Sequence, residues 1–157
     1  MAAGDGSLLL TLLDQAFDRK SWHGTNLRGS IRGMDDGQAS WRPAPGRHNI
    51  WEIVVHCAYW KYVVRRRLLG EARGSFPLKG SNWFPRPDGT ASWKADVDLL
   101  ARIHRSLRAA VEELDPRLLR AVPPGGKVSR FDLIAGVAAH DLYHAGQIQL
   151  LKRLSNL

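Results

Sequence analysis

The stretch GVAAHDLYHAGQIQLLKRL, residues 136–154, has the apolar periodicity of a packed helix, yet polar residues interrupt its apolar face. Steps of three and four residues trace one face of such a helix. That face carries Leu133, Val137, His140, His144, Gln147 and Leu151. His140 and His144 point within about 40° of each other and lie about 6 Å apart along the axis. Two imidazoles in this arrangement can reach one ion.

The same pair is also compatible with two core histidines, each hydrogen-bonded to a neighbour, since an unpaired buried imidazole costs about 1–3 kcal/mol. A third histidine favours the metal site. His56 interrupts the most apolar segment of the chain, NIWEIVVHCAYWKYVV, residues 49–64, where it has no obvious structural role. Three neutral imidazoles from two helices leave a coordination position open for water or substrate, which is typical of a catalytic metal site.

Helix signals dominate the chain and strand signals are nearly absent. Asn49 followed by Glu52 predicts a capping box, Gly70 predicts a helix end, and Ser129 followed by Asp132 predicts a weaker cap for the last helix. The predicted long helices span residues 8–19, 50–69, 92–114 and 130–154, with a further helical signal in 25–34. We therefore expect an all-α protein, a four-helix bundle forming a single domain over residues 1–157.

A connection rich in glycine and proline, residues 71–91, joins the second and third predicted helices. Structureless connections this long in compact domains are usually functional or cross from one end of the molecule to the other. About 20 residues can span a helix of about 30 Å, so this crossover allows the second and third helices to run parallel.

Composition restricts the protein class. The chain has 157 residues, 44% of them hydrophobic, and its single cysteine excludes an internal disulfide. No secretory pattern opens the sequence, and the longest apolar stretch, residues 50–64, is too short and too interrupted to cross a bilayer. These features predict a cytoplasmic protein with no membrane association.

The chain carries 23 Lys and Arg against 15 Asp and Glu, a formal charge of +8. This balance permits a nucleic-acid partner. However, the basic residues are dispersed, and no nucleic-acid-binding motif accompanies the densest cluster, Arg65 to Arg67. We interpret that cluster as a solvated helix end, favourably placed at the C-terminal dipole, and regard a nucleic-acid partner as the weaker alternative.

Several residues near the three histidines have two interpretations. His104 is a candidate for an additional ligand, but it lies on the apolar seam of the third helix in only one of two registers. Gln147 can hold a metal-bound water or satisfy a buried backbone group. Glu52, one turn before His56, can orient that ring or serve only in the capping box. Tyr143 can border a pocket or pack between helices.

Cys57 adjoins His56, but neighbouring helical residues point about 100° apart, so we expect a buried, unreactive thiol. Trp60, Trp83 and Phe84 can form the wall of a pocket for an apolar substrate or belong to the core. His23 and His48 fall in predicted loop or helix-start positions and are expected to be solvated.

The combination of NIWEIVVHCAYWKYVVRRRL, WRPAPG and AAHDLYHAGQIQLLKRL resembles the DinB-like superfamily over essentially residues 8–154. Its most specific part is one histidine in the second helix together with H-x-x-x-H followed by G-Q-I in the last. The resemblance implies a four-helix bundle with a metal bound by three histidines, and the positions that match are His56, His140 and His144.

The resemblance also implies a range of activities. Some relatives are transferases and isomerases that use a low-molecular-weight thiol. Another is a metal-dependent hydrolase. We therefore expect a divalent ion such as Zn, Ni or Fe, a small-molecule substrate, a thiol cofactor in some reaction types, and often a homodimer. A non-catalytic metal-binding protein, or a basic helical bundle that binds nucleic acid, is the alternative.

Overall fold

The computed structural model describes the backbone of residues 2–156 and the side chains of residues 4–156. Over these residues the chain is all-helical, with no strand, as predicted. The helices are α1 Ala2–Phe17, α2 Leu27–Ser30, α3 Asp36–Ser40, α4 Ile50–Leu69, α5 Trp93–Glu112 and α6 Arg130–Leu154, with a short 3-10 turn at Pro116–Leu118. None of these helices is long and apolar enough to cross a membrane.

The cap residues of α4 and α6 lie where the sequence predicts them. Asn49 accepts a hydrogen bond from the Glu52 backbone N–H at the start of α4, and Gly70 ends the helix with a φ of 68°. The Ser129 side chain caps α6 in the same way. The sequence predicts the first helix over residues 8–19, but it runs Ala2–Phe17, so it begins six residues and ends two residues earlier than predicted. The α5 helix ends at Glu112 rather than residue 114. The helical signal in residues 25–34 yields only the four-residue α2.

Side-chain pairs along the bundle give its topology. Trp51 of α4 donates to Asp96 of α5, and ten residues further along α4 the Lys61 ammonium lies 3.1 Å from His104 of α5. Because the contacts advance together in both helices, α4 and α5 run parallel. Arg108 of α5 binds Asp14 of α1, and His104, one turn earlier in α5, stacks on Phe17, which comes later in α1. The α1 and α5 helices are therefore antiparallel. The crossover predicted between the second and third long helices is confirmed.

Buried polar contacts hold this crossover against the two helices that it joins. The Arg86 guanidinium is 3% exposed and donates to Asp96 of α5 over 2.6 Å. The Arg86 carbonyl oxygen accepts from the Asn49 side chain over 2.8 Å. Phe76 and Phe84 of the same segment pack against Tyr59 of α4. The crossover is therefore a fixed part of the core, and its residues 82 and 83 occupy defined positions beside α4.

The apolar core forms two clusters. One surrounds the first half of α4 with the crossover and the start of α5, and the other packs α1 against the later half of α4, the end of α5 and the first half of α6. The polar side chains of α6 and α4 that interrupt the predicted apolar faces lie between and beside these clusters. The fold thus brings the middle of α4 against the middle of α6.

Candidate metal centre

Three histidines meet between α4 and α6. His56 and His144 each place Nε2 at 3.1 Å from Nε2 of His140. His56 and His144 are 5% and 4% exposed, so two of the rings are nearly withdrawn from solvent. The structure brings together all three residues that the sequence predicted as ligands.

In two of the rings, Nδ1 has a hydrogen-bond partner that shows which ring nitrogen carries the proton. We call Nδ1 the outer nitrogen, because it points away from the other two rings. His56 Nδ1–H donates to the backbone carbonyl of Asn82 over 2.8 Å, and His144 Nδ1–H donates to the Gln147 side-chain oxygen over 2.7 Å. A neutral imidazole carries one proton, so Nε2 of both rings presents a lone pair. His140 Nε2 faces both lone pairs and can donate a proton to only one of them at full strength. His140 Nδ1 is buried without a protein partner.

This donor set fits a divalent cation. Two nitrogens that each lie about 2.0–2.1 Å from a tetrahedral ion are about 3.3–3.4 Å apart, close to the observed contacts. An ion would accept the lone pairs that otherwise face each other. Metal-ligating histidines commonly donate their other ring N–H to an oxygen acceptor, which orients the ring and increases its basicity, and His56 and His144 each make such a hydrogen bond.

Burial keeps the three rings neutral. It lowers the pKa of His56 to about 4 and that of His140 to about 3, where the neighbouring His144 and His56 lower it further. Burial also lowers the pKa of His144, against the hydrogen bond to Gln147, which raises it. Since only neutral imidazole binds a metal, the trio is competent to ligate at neutral pH.

The crossover supplies a contact to the trio that sequence reasoning missed. Asn82 adopts a φ of 65°, in the left-handed region that asparagine tolerates better than most residues. Its carbonyl accepts from His56, and its side-chain oxygen accepts from Trp60 over 2.9 Å. An asparagine in a long loop beside a predicted pocket was the only available signal, because the contact joins residues 26 positions apart.

A stack of rings continues outward from His56. Trp83 packs face to face on His56 at 3.8 Å between ring centroids, and His48 packs on the other face of Trp83 at 3.6 Å. His48 Nδ1 lies 2.9 Å from the carboxylate of Glu52, which also binds Arg42. Burial raises the pKa of Glu52, but the hydrogen bonds from Arg42 and His48 outweigh it and lower the pKa overall.

Two expectations about these residues therefore need correction. Glu52 does not orient His56, whose Nδ1 is bound by Asn82, and its side chain does not complete a capping box. It binds Arg42 and His48 instead. His48 is half exposed, as expected for a residue before the helix, but its ring is also held in the stack.

The trio lies in a cavity of about 670 Å³, within the range of small-molecule sites. Trp83 forms part of its wall, as the sequence allowed. Tyr143 borders the cavity and is 64% exposed. The side-chain oxygen of Gln147 accepts a hydrogen bond from His144, and not from a buried backbone group. Phe84 belongs to the core instead.

His104, the candidate for a fourth ligand, is placed in a different cluster. Its ring stacks on Phe17 at 3.6 Å, and its Nδ1 lies 3.1 Å from Lys61 Nζ. Lys61 is fully buried and binds the equally buried Asp141 over 2.5 Å. This Lys61–Asp141–His104 cluster is a structural ion pair in the bundle interior and adds no ligand to the histidine trio.

Cys57 is fully buried, as expected, and burial raises the pKa of its thiol well above the usual value. Its sulfur, a ring nitrogen of His140 and a carboxylate oxygen of Asp141 all lie within 4.8 Å of one another. A second cation there would lie beside the Lys61 ammonium, which already neutralises Asp141. The three-histidine set is therefore the better candidate centre.

The family comparison agrees with this geometry. Residues 20–148 match the family model of the DinB superfamily. The chain belongs to the DinB superfamily. The match includes α4, the crossover and the part of α6 that carries both histidines, so all three members of the trio lie within the DinB region. No curated protein and no solved structure matches the chain.

Proposed function

We propose that this DinB protein is a metal-dependent enzyme that binds a divalent ion through Nε2 of His56, His140 and His144 and acts on a small molecule. The observation that carries the proposal is the convergence of three Nε2 atoms in a cavity of about 670 Å³, where Nδ1 of His56 and Nδ1 of His144 are each bound to an oxygen acceptor. A set of three imidazoles leaves room for a further ligand from the cavity.

When bound, a divalent ion at such a site lowers the pKa of a water or thiol ligand and so supplies a nucleophile near neutral pH. This chemistry is common to thiol-dependent transfer, isomerisation and hydrolysis. The protein groups divide the remaining tasks. Asn82 and Gln147 hold the ligating rings in place, and Trp83 covers the face of His56 and excludes water from it.

A basic nucleic-acid-binding bundle has less support. Arg65, the first residue of the basic cluster, forms an ion pair with Glu71, and Arg66 donates to the Glu71 carbonyl. Both residues lie in the last turns of α4, where cations favour the helix dipole. Two of the three arginines in the cluster thus have local partners.

Elemental analysis of untagged protein tests the proposal. We expect about one metal ion per chain in the wild type and loss of that ion in His56→Ala and His144→Ala. His104→Ala is a matched control, since His104 and His144 are both 4% exposed, and it should retain the ion. Full metal occupancy and affinity in His144→Ala would overturn the assignment.

Activity then separates an enzyme from a metal-binding protein. Metal-loaded protein is assayed for consumption of simple thiols, with glutathione and cysteine as probes, and for hydrolysis of small esters and amides. Turnover that depends on added metal and disappears in His56→Ala supports the enzyme. A bound ion with no turnover in either screen favours a structural or sensory role for the metal.

A further inference from the structure

The cavity extends beyond the trio along α6. Past His144 the same helical face continues with Gln147, Leu151 and Leu154, and all three line the cavity together with the adjacent Leu150. His144 and Leu154 are ten residues apart, so the lining along α6 extends about 15 Å from the ligating ring. We refer to Leu150, Leu151 and Leu154 as the leucine lane.

Other apolar residues also line the cavity. They are Pro43 and Ala44, from the segment before α4, and Ile53 of α4. No aspartate or glutamate is among the lining residues, so no carboxylate there would pair with a positively charged group on the body of a ligand. Apart from Arg47 in the segment before α4, the polar side chains of the cavity lie close to the trio.

Two leucines of the lane are largely exposed. Leu150 is 58% and Leu154 is 55% exposed, so their aliphatic surface faces solvent rather than the core. They share one cavity with the histidine ring nitrogens, and the cavity has the volume of a small-molecule site. A ligand that binds the metal and extends along α6 would therefore cover them.

We propose that the substrate is a molecule with a metal-binding head and an elongated apolar body, which lies on the leucine lane. The proposal rests on the proposed function, because the ion at the trio anchors the head. The body is aliphatic in character and carries no positive charge. Its length is limited by the end of α6, about 15 Å from the trio.

Straight-chain alkyl hydroxamates are suitable probes, since the hydroxamate head binds divalent ions and the chain can be lengthened one methylene at a time. Binding of acetohydroxamate through decanohydroxamate to the metal-loaded protein is measured by calorimetry. Each buried methylene should tighten binding about fourfold until the lane is filled. Equal affinity for short and long members would overturn the proposal while leaving the metal site intact.

Substitutions in the leucine lane test whether the alkyl chain of the hydroxamate binds there. Leu150→Ser and Leu154→Ser alter exposed side chains. Each should weaken the binding of decanohydroxamate severalfold and leave the affinity for acetohydroxamate unchanged. Leu8→Ser is the matched control, since Leu8 is 55% exposed and lies on α1 outside the cavity. An unchanged length dependence in Leu150→Ser and Leu154→Ser would overturn the assignment to the lane.

A second measurement does not depend on the metal. Primary alcohols from butanol to decanol are titrated against metal-free protein, and a change in tryptophan fluorescence that is absent in Trp83→Phe reports binding beside Trp83. Tighter binding of longer alcohols would support the lane even if the trio held no ion, so failure of the proposed function is distinguished from failure of this proposal.

Sedimentation of the same variants tests whether a second copy covers the leucines. A monomer, or a dimer that Leu150→Ser and Leu154→Ser leave intact, is the expected result. A dimer that both variants dissociate, with no length dependence for either probe series, would assign the lane to contacts between copies and overturn the proposal.

Discussion

The bundle buries two polar clusters side by side, and they differ in how their charges and hydrogen bonds are satisfied. In the Lys61–Asp141–His104 cluster, an ammonium faces an imidazole and one oxygen of a carboxylate, so the protein supplies an opposite charge, although Oδ1 of Asp141 has no hydrogen-bond partner. The histidine trio instead brings three ring nitrogens together with no acid and no opposite charge among them.

Both clusters contain a histidine that burial keeps neutral, since burial lowers the pKa of His104 and of each ring of the trio. Burial and histidine content therefore do not distinguish a structural site from a ligand site. The distinguishing feature is what each ring nitrogen faces. Nδ1 of His104 faces a donor that completes its hydrogen bonding, while the Nε2 atoms of the trio face each other.

The strongest test of this difference removes the cation of the first cluster. Lys61→Met leaves the Asp141 carboxylate buried without its partner and should lower the free energy of unfolding by about 3–5 kcal/mol. Urea unfolding of metal-free protein at pH 7 measures this change.

The double variant Lys61→Met/Asp141→Leu is the control, since replacing a whole buried ion pair with apolar residues is often neutral. It should recover most of the lost stability and retain the metal at the trio. A cost below about 1 kcal/mol for Lys61→Met would contradict the interpretation of this cluster as a structural ion pair.

Acid should weaken the metal-free protein through the trio and through His104, whose pKa burial also lowers. The folded-state pKa values of His56 and His140, about 4 and about 3, lie below the usual 6.5, so the unfolded chain takes up protons first. Stability is therefore complete above about pH 6.5 and falls as the pH drops towards 4. Burial raises the pKa of Asp141 to about 6, which acts in the opposite sense, but through one group only.

Thermal unfolding between pH 7.5 and 4.5 measures this effect, and we expect the Tm of metal-free protein to fall by several degrees. His140→Ala lacks one of the contributing rings and should show a shallower decline from its own value at pH 7.5. A Tm that rises on acidification would be inconsistent with buried, neutral rings.

The smallest effect should come from the outer contacts of the trio. Gln147→Ala removes the acceptor of His144 Nδ1–H and should weaken metal binding about 10–100-fold without abolishing it. Affinity is measured by competition with a chromophoric chelator.

Gln149→Ala, two residues along α6 and outside the cavity lining, is the control and should leave metal affinity unchanged. Gln147→Glu keeps an acceptor for His144 and should retain the affinity. If Gln147→Ala stays within about twofold of the wild type, the orienting role of Gln147 is wrong.

The sequence alone carried the fold and the candidate ligands, because both follow from short-range periodicity. Caps at Asn49 and Ser129 mark the starts of α4 and α6, and the spacing of His140 and His144 puts them on one helical face. His56 was identifiable as a polar residue in an apolar helix. The length of the crossover allowed α4 and α5 to run parallel, and they do so.

Only the tertiary structure decided which group each polar side chain binds. Asn82 reaches His56 across 26 residues, and Glu52 binds His48 and Arg42 instead of His56. The position of His104 depended on which of two overlapping seams of α5 faces the interior, and the structure places it against Lys61. Such partners depend on how helices and the crossover pack, and periodicity within one helix carries no information about residues that contact it from elsewhere in the chain.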